Sequence, residues 1–355
     1  MWYGITSRQT ISLAISGFIA ASILAAQPVV QTQVFPLPGG GPQKIVWKLT
    51  QGPDGAMWFT TGCPISPCPA NNNEEIGRIT RGGIITEYVL PTLPAPNPYG
   101  ITTGTDGALW FTERQVNKIG RITTAGALTE YALPLPAGPY EITAGPDGAM
   151  WFTEPNPGGY AIGRIATNGV VSIYGYGQGQ ADPTSIVAGP DGALWFTDVN
   201  VNRIGRITTQ GQTTWYALPG VCNPIGIAVG SDQALWFTCF GGGVIGRITT
   251  IGTMTFYTIP TANSQPVYIT SGPDGALWFA EQKDCKLARI TTGGVFTEYA
   301  AGIACGEISV GLGALWSNTP VGSITRITFS DSTPPAITPV VTGTLGSSGW
   351  YRSDV

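Results

Sequence analysis

The chain has 355 residues, a formal net charge of −4 and only 11% charged residues. That balance excludes the basic footprint of a nucleic-acid binder and any attraction to anionic membrane surfaces. It contains 50 glycines and no histidine at all, so imidazole acid–base chemistry and histidine-ligated metals are excluded as well.

In chain order, the first feature is an apolar run from Ile11 to Leu24 that follows Arg8 and ends in Ala25-Ala26-Gln27. One positive charge, an apolar core and small residues are the layout of a signal peptide, here residues 1–26 with cleavage near Ala25 or Ala26. The run is short for a membrane span, an uncleaved anchor being the alternative. The expected location is therefore secreted or extracytoplasmic, with attachment at the cell surface left open and no other membrane contact.

From residue 33 the sequence is a repeat. The phrase Gly-Pro-Asp-Gly-Ala-Leu/Met-Trp-Phe returns with tryptophans at 58, 110, 151, 195, 236, 278 and 316, spaced 38 to 52 residues apart. Strand-rich repeats of about 40–45 residues are propeller blades. The second repeat shows the pattern in full. Pro98–Thr102, Ala108–Thr112, Ile119–Thr123 and Leu128–Leu133 are four β-prone runs separated by glycine turns, which read as an antiparallel meander. The seventh repeat stops after its third run, Ile324–Phe329, whereas Gln33–Pro38 resembles a fourth run standing before the first blade. The expectation is an all-β, seven-bladed propeller over residues 27–329, closed by the N-terminal strand so that no sheet edge stays open.

Several recurrent residues read as architecture. Arg78, Arg121, Arg164, Arg206, Arg247, Arg289 and Arg326 fall once per third strand, and Asp54, Asp106, Asp147, Asp191, Asp232 and Asp274 once per turn. These predict ion pairs or turn hydrogen bonds between blades, and the tryptophans predict packing between blades. Six cysteines suit an oxidising compartment, with pairs expected at Cys63–Cys68, Cys222–Cys239 and Cys285–Cys305. After Phe329 the character changes: Ser332-Thr333-Pro334-Pro335 is a linker, and Thr344–Val355 is similar to the opening of bacterial Ig-like modules. Residues 330–355 are thus expected to begin a further module of a longer protein.

Trp110-Phe111-Thr112-Glu113, Asn117–Thr123 and Thr129-Glu130-Tyr131 closely resemble phrases of the streptogramin lyase (virginiamycin B lyase) family of seven-bladed propellers. The resemblance spans residues 33–329. It implies a lyase that opens a cyclic depsipeptide by β-elimination, with a divalent metal, usually magnesium, and histidine as acid/base. The positions it assigns to the two histidines hold Val267 and Gly306 here, and those of two acidic partners hold Ala304 and Pro320. The catalytic set is absent as a group.

What remains on the corresponding rim is acidic and aromatic. Glu113, Glu154, Asp198 and Glu281 end second strands, an oxygen-donor set suited to Mg²⁺ or Ca²⁺, although a repeat-consensus role is the plainer reading of the glutamates. Glu141 and Glu307 open first strands nearer the channel, with Tyr99, Tyr140 and Tyr268 beside them. These five are the expected ligand contacts, and Glu141, Glu307 and Tyr140 the candidate substitute bases. The leading expectation is an exported binding or scaffold propeller for a small molecule, glycan or protein. The alternative is an enzyme, either a lyase with a substitute base or a metal-dependent lactone hydrolase.

Overall fold

Each repeat folds into one four-stranded antiparallel sheet, and seven such sheets arise with their strands in chain order. The computed structural model describes residues 29–330 except 40–43, 64–73, 92–95, 135–137, 156–159, 176–180, 301, 303, 305 and 320–321. The expected signal segment and the tail beyond 330 lie outside the described residues. In blade two the strands are Pro98–Thr103, Leu109–Glu113, Lys118–Ile122 and Leu128–Ala132. Every residue of the second strand is buried, while the outer strand alternates between half-buried and exposed. That gradient explains the unbroken apolar run Leu-Trp-Phe: a strand covered on both faces by neighbouring blades has no solvent side on which to alternate.

The tryptophans join the blades. Trp110 packs with Ile142, Met150 and Phe152 of blade three, and Trp58 packs with Ile101, Leu109 and Phe111 of blade two. The last of them, Trp316, reaches Leu49, Met57 and Phe59 of blade one, which closes the ring. Tyr131 stacks on Trp110 at 5.5 Å between centroids and lies against Gly169 of the next blade. A Cβ there would sit 2.5 Å from that ring, on a backbone with φ +88°, so only glycine fits.

The repeated Asp and Arg are architectural, but they work within a blade and not between blades. Asp106 Oδ1 accepts from Trp110 Nε1 at 3.0 Å and its Oδ2 from Arg121 Nε at 2.7 Å. The same pair of bonds recurs at Asp54, Asp147, Asp191, Asp232 and Asp274. Burial raises the Asp106 carboxyl, but the bonds from Trp110 and Arg121 outweigh it and hold it below the usual carboxylate range. The turn aspartate thus ties the first turn to the second and third strands of its own sheet.

Blade seven is completed by the N-terminal strand. Ile308–Gly311, Ala314–Thr319 and Ser323–Ser330 are followed in space by Val29–Pro36 as the outer strand. The strand starts a few residues earlier than Gln33, where the fourth-strand consensus begins. Phe35 stacks on Trp316 at 6.1 Å, in the place tyrosine takes elsewhere. Lacking a turn aspartate, Trp316 Nε1 donates to Gly311 O at 2.9 Å, and Arg326 Nε is buried with no acceptor among the described residues.

Cys222 and Cys239 form a disulfide that links the approach to the first strand of blade five, Pro224–Val229, with the end of its second, Leu235–Cys239. Cys285 is also disulfide-bonded; its expected partner Cys305 lies outside the described residues. The Cys63–Cys68 bond is not made. Cys63 is a free thiol, buried at the end of a second strand, so it is not carried out on the proline-rich insertion that holds Cys68, which is itself outside the described residues.

Candidate functional site

The first strands of neighbouring blades contact one another around the whole ring, blade seven against blade one included. Near its start the first strand of blades one, two, four, five and six bulges against the second strand, as between Pro98 and Ile101 or Val46 and Leu49. In blades one to five a threonine of the second strand accepts from the backbone of this stretch. Thr112 Oγ1 accepts from Gly100 N at 2.9 Å and donates to Tyr140 O of the next blade at 2.7 Å. Thr60 does the same between Lys48 N and Tyr99 O, Thr153 between Glu141 N and Thr184 O, and Thr197 between Ser185 N and Ile225 O. In blades one to four, one hydroxyl therefore fixes one inner-strand residue relative to the next blade. In register, the inner positions are Lys48, Gly100, Glu141, Ser185, Gly226, Tyr268 and Glu307. Blade six has Ala280 in place of the threonine, and its inner residue Tyr268 departs to φ +31°.

These side chains meet. Lys48 Nζ pairs with Glu141 Oε1 and lies 2.7 Å from Glu307 Oε2, with the ring of Tyr268 4.1 Å away. Tyr140 donates its hydroxyl proton to Tyr99 Oη at 2.6 Å, and Tyr99 and Tyr268 share a hydroxyl contact at 2.9 Å. Tyr99 and Tyr140 stack at 4.0 Å, and Trp47 flanks Tyr99. All five sequence-predicted ligand contacts thus belong to one cluster drawn from blades two, three, six and seven. Its centre, Lys48 of blade one, escaped the sequence reading. The signal was available: Lys48 holds the same repeat position as Glu141 and Glu307, but blade one, like blade seven, lacks the proline that marks it in blades two to six, and a lysine is neither an acid nor a metal ligand.

The electrostatics follow from burial. Desolvation alone would lower the Lys48 ammonium, but Glu141 and Glu307 outweigh it and hold it charged, above the ordinary lysine value. Burial pushes Glu307 up to about 7, with Lys48 opposing. Burial also raises the hydroxyls of Tyr99, Tyr140 and Tyr268. None of these phenols is activated as a base.

The four carboxylates at second-strand ends are not an open acidic rim. Glu113, Glu154, Asp198 and Glu281 are fully buried, one per blade. Asp198 accepts from Asp182 N at 2.8 Å and pairs with Arg203 at 2.8 Å. The glutamates have no protein hydrogen-bond partner among the described residues, so the bond to a neighbouring backbone suggested by their recurrence is not made. Burial raises Glu113 to about 8, Glu154 to about 7 and Glu281 to about 7. Among the described residues no three Cys, Asp or Glu side chains come together to hold a metal ion.

Beside the cluster, a cavity of about 780 Å³ opens between blades two, three and four, lined by Asn97, Arg114, Gln115, Tyr140, Asp182 and Thr184 among others. A second, of about 190 Å³, is lined by Trp47, Tyr268, Gly306 and Asn318 among others.

The profile of the virginiamycin B lyase family matches residues 1–175 and 135–334. The chain belongs to this family. It is 34% identical to a streptogramin B lyase of known structure, with a TM-score of 0.76 over 85% of this chain and 98% of that one. It is 38% identical to virginiamycin B lyase from Staphylococcus aureus, solved as a catalytically inactive histidine-to-alanine variant with quinupristin, with a TM-score of 0.75 over 84% and 99% of the two chains. The extracellular domain of a one-component system from B. thetaiotaomicron shares the fold at 16% identity, with a TM-score of 0.64 over 85% of this chain and 43% of that one. No curated protein matches the sequence.

Against the virginiamycin B lyase resemblance, the described replacements are apolar. Val267 and Ala304 are buried in one cluster with Ala280, Leu287 and Ile308. At Gly306 a Cβ would lie 2.7 Å from Asn318 Oδ1, and Asn318 Nδ2 is itself held by Val46 O at 2.6 Å. Pro320 lies outside the described residues. The donor set does not fit the family's divalent cation either. The two inner carboxylates already face an ammonium, whose charge opposes a second cation, and the remaining carboxylates are dispersed one per blade.

Proposed function

We propose that this chain is an exported, ligand-binding member of the virginiamycin B lyase family that does not catalyse ring-opening elimination. The observation that carries the reading is the pairing of Glu141 and Glu307 with Lys48: the carboxylates best placed to replace the missing histidines are engaged by a buried ammonium. A general base needs a free lone pair within reach of its proton. The apolar packing of Val267 and Ala304 supports the same conclusion. Recognition rests on the cavity beside the cluster, with Tyr140 in its wall and Tyr99 stacked behind, and the ligand is a small molecule, a glycan or a protein segment. Residues 1–26 act as the export signal, which the Cys222–Cys239 disulfide suits, and residues 330–355 lead into an Ig-like module.

One observation favours the rival reading. Glu307 is pushed up to about 7, which is where a working base or acid belongs. Mass spectrometry of a streptogramin B incubated with the protein and Mg²⁺ separates the two. No ring-opened product above a buffer blank is expected. Metal-dependent turnover abolished by Glu141→Gln or Glu307→Gln makes the protein a lyase with a substitute base.

A further inference from the structure

The cavity between blades two, three and four carries two opposite charges that are not paired with each other. Arg114 and Asp182 both line it, yet no ion pair joins them and their attraction acts only at longer range. The Arg114 guanidinium lies against the stacked tyrosines, 4.6 Å from the Tyr140 ring centroid and 5.4 Å from that of Tyr99, and has no carboxylate partner among the described residues. Ring contact does not use up the N–H donors of a guanidinium, which grip carboxylates in a fork, and leaves them for another group. Tyr140 is in turn fixed by its bond to Tyr99 and by Thr112, so the platform under Arg114 is rigid.

Asp182 is the complement. Its backbone N–H is used by Asp198, and its backbone carbonyl by Thr184 Oγ1 at 3.1 Å. Its carboxylate accepts no hydrogen bond among the described residues. Burial and the neighbouring Asp198 raise it, so an added positive donor would relieve both. Between the two charges the wall offers the amides of Asn97 and Gln115 and the ring of Tyr140. A volume of about 780 Å³ lies within the usual span for ligand sites, about 300–1,000 Å³.

We propose that this cavity recognises a zwitterionic, peptide-like ligand, its carboxylate on Arg114 and its ammonium on Asp182. The assignment rests on the ligand-binding reading above and adds the chemistry of the ligand. Free peptides with both termini charged are the simplest members of the class.

The test is calorimetric titration of the full-length protein with the dipeptide Ala-Phe, its C-terminal amide and its N-acetyl form. Saturable binding of Ala-Phe is expected, weakened about tenfold by either cap, the scale of one lost charge-assisted hydrogen bond. Arg114→Gln should weaken Ala-Phe by a similar factor and make amidation indifferent, and Asp182→Asn should do the same for acetylation, because each pair is then already broken. Both side chains are partly exposed, so the variants should keep the parent melting temperature; if one does not, the capped peptides on the parent protein decide alone. Absence of Ala-Phe binding, or equal binding of the capped forms, overturns the ligand assignment. That result leaves the non-catalytic reading standing, which only streptogramin turnover brings down.

Discussion

Lys48 Nζ of blade one lies 2.7 Å from Glu307 Oε2 of blade seven and also pairs with Glu141 of blade three. A single ammonium therefore ties both sides of the ring closure to a blade beyond the adjacent one. The pairs are almost fully shielded, with Lys48 8% and Glu307 7% exposed, so Coulomb attraction there is strong and so is the cost of leaving either partner alone.

Lys48→Met should destabilise the protein by about 3–5 kcal/mol at neutral pH, the usual cost of a buried charge stripped of its partner. Without the ammonium, Glu307, which burial already raises, must take up a proton to stay buried, so the loss should shrink as pH falls toward 5. Urea melts across pH measure this. The triple variant with Glu141→Gln and Glu307→Gln should recover most of the stability.

Glu154 offers a cleaner pH effect, because burial alone raises it to about 7. A carboxyl raised in the fold binds its proton more tightly there than in the unfolded chain. Its contribution is therefore intact below the ordinary glutamate value near 4.5 and is lost as pH rises to about 7. Glu154→Gln should match the parent near pH 4.5 and exceed it at pH 8 by about 1–3 kcal/mol, an upper range given water penetration. Equal pH slopes in thermal melts of parent and variant would refute it.

Closure by Val29–Pro36 makes Phe35 the key residue of the N-terminal strand, since it packs with Trp316, Val46 and Leu37 at the last interface. Phe35→Ala should cost about 3–5 kcal/mol, as other buried aromatic truncations do. Deleting residues 1–38 should lower the melting temperature further, because it also exposes the edge of Ser323–Ser330. Differential scanning calorimetry of both variants reads the effect.

The thiols give a chemical check. Alkylation under denaturing, non-reducing conditions should label Cys63 and leave Cys222, Cys239 and Cys285 unlabelled, because only the last three are bonded. Peptide mapping locates the label. An unlabelled Cys63 would restore the expected Cys63–Cys68 bond.

Blade count and strand order could be read from the sequence because each depends on local signals that recur from blade to blade, a Gly turn, a Trp-Phe run and an Ile-Gly-Arg-Ile run, and closure because the last repeat stops one strand short. The site was only half legible for the same reason. Glu141 and Glu307 stood out by breaking the repeat, and Tyr99, Tyr140 and Tyr268 by sharing a position next to it. Lys48 did not: blade one, like blade seven, lacks the opening proline of blades two to six, and a lysine is neither a replacement acid nor a metal ligand. Which partner a buried charge takes is a three-dimensional fact: Lys48 and Glu307 are far apart in the chain and meet only because the ring closes. The glutamates at 113, 154 and 281 misled in the opposite sense. Their place at second-strand ends suggested oxygen ligands on a rim and their recurrence a bond to neighbouring backbone, but the second strand is covered along its whole length, its last residue included, and that backbone bond is not made.

Gly306 shows why restoring a histidine is not a simple reversal. Asn318 Oδ1 stands 2.7 Å from where its Cβ would be, and Asn318 Nδ2 is anchored to Val46 O. Gly306→His must push Asn318 away and break a bond between blades seven and one, costing about 1–3 kcal/mol as overpacking does. Adding Asn318→Ala should return part of that loss by making room. Streptogramin turnover should stay at the blank even when Val267→His is added. Ala304 still supplies no acid, and Lys48 still holds the two inner carboxylates. Product formation by that combined variant would mean that the histidine positions alone decide activity, and that the Lys48 cluster is no barrier to it.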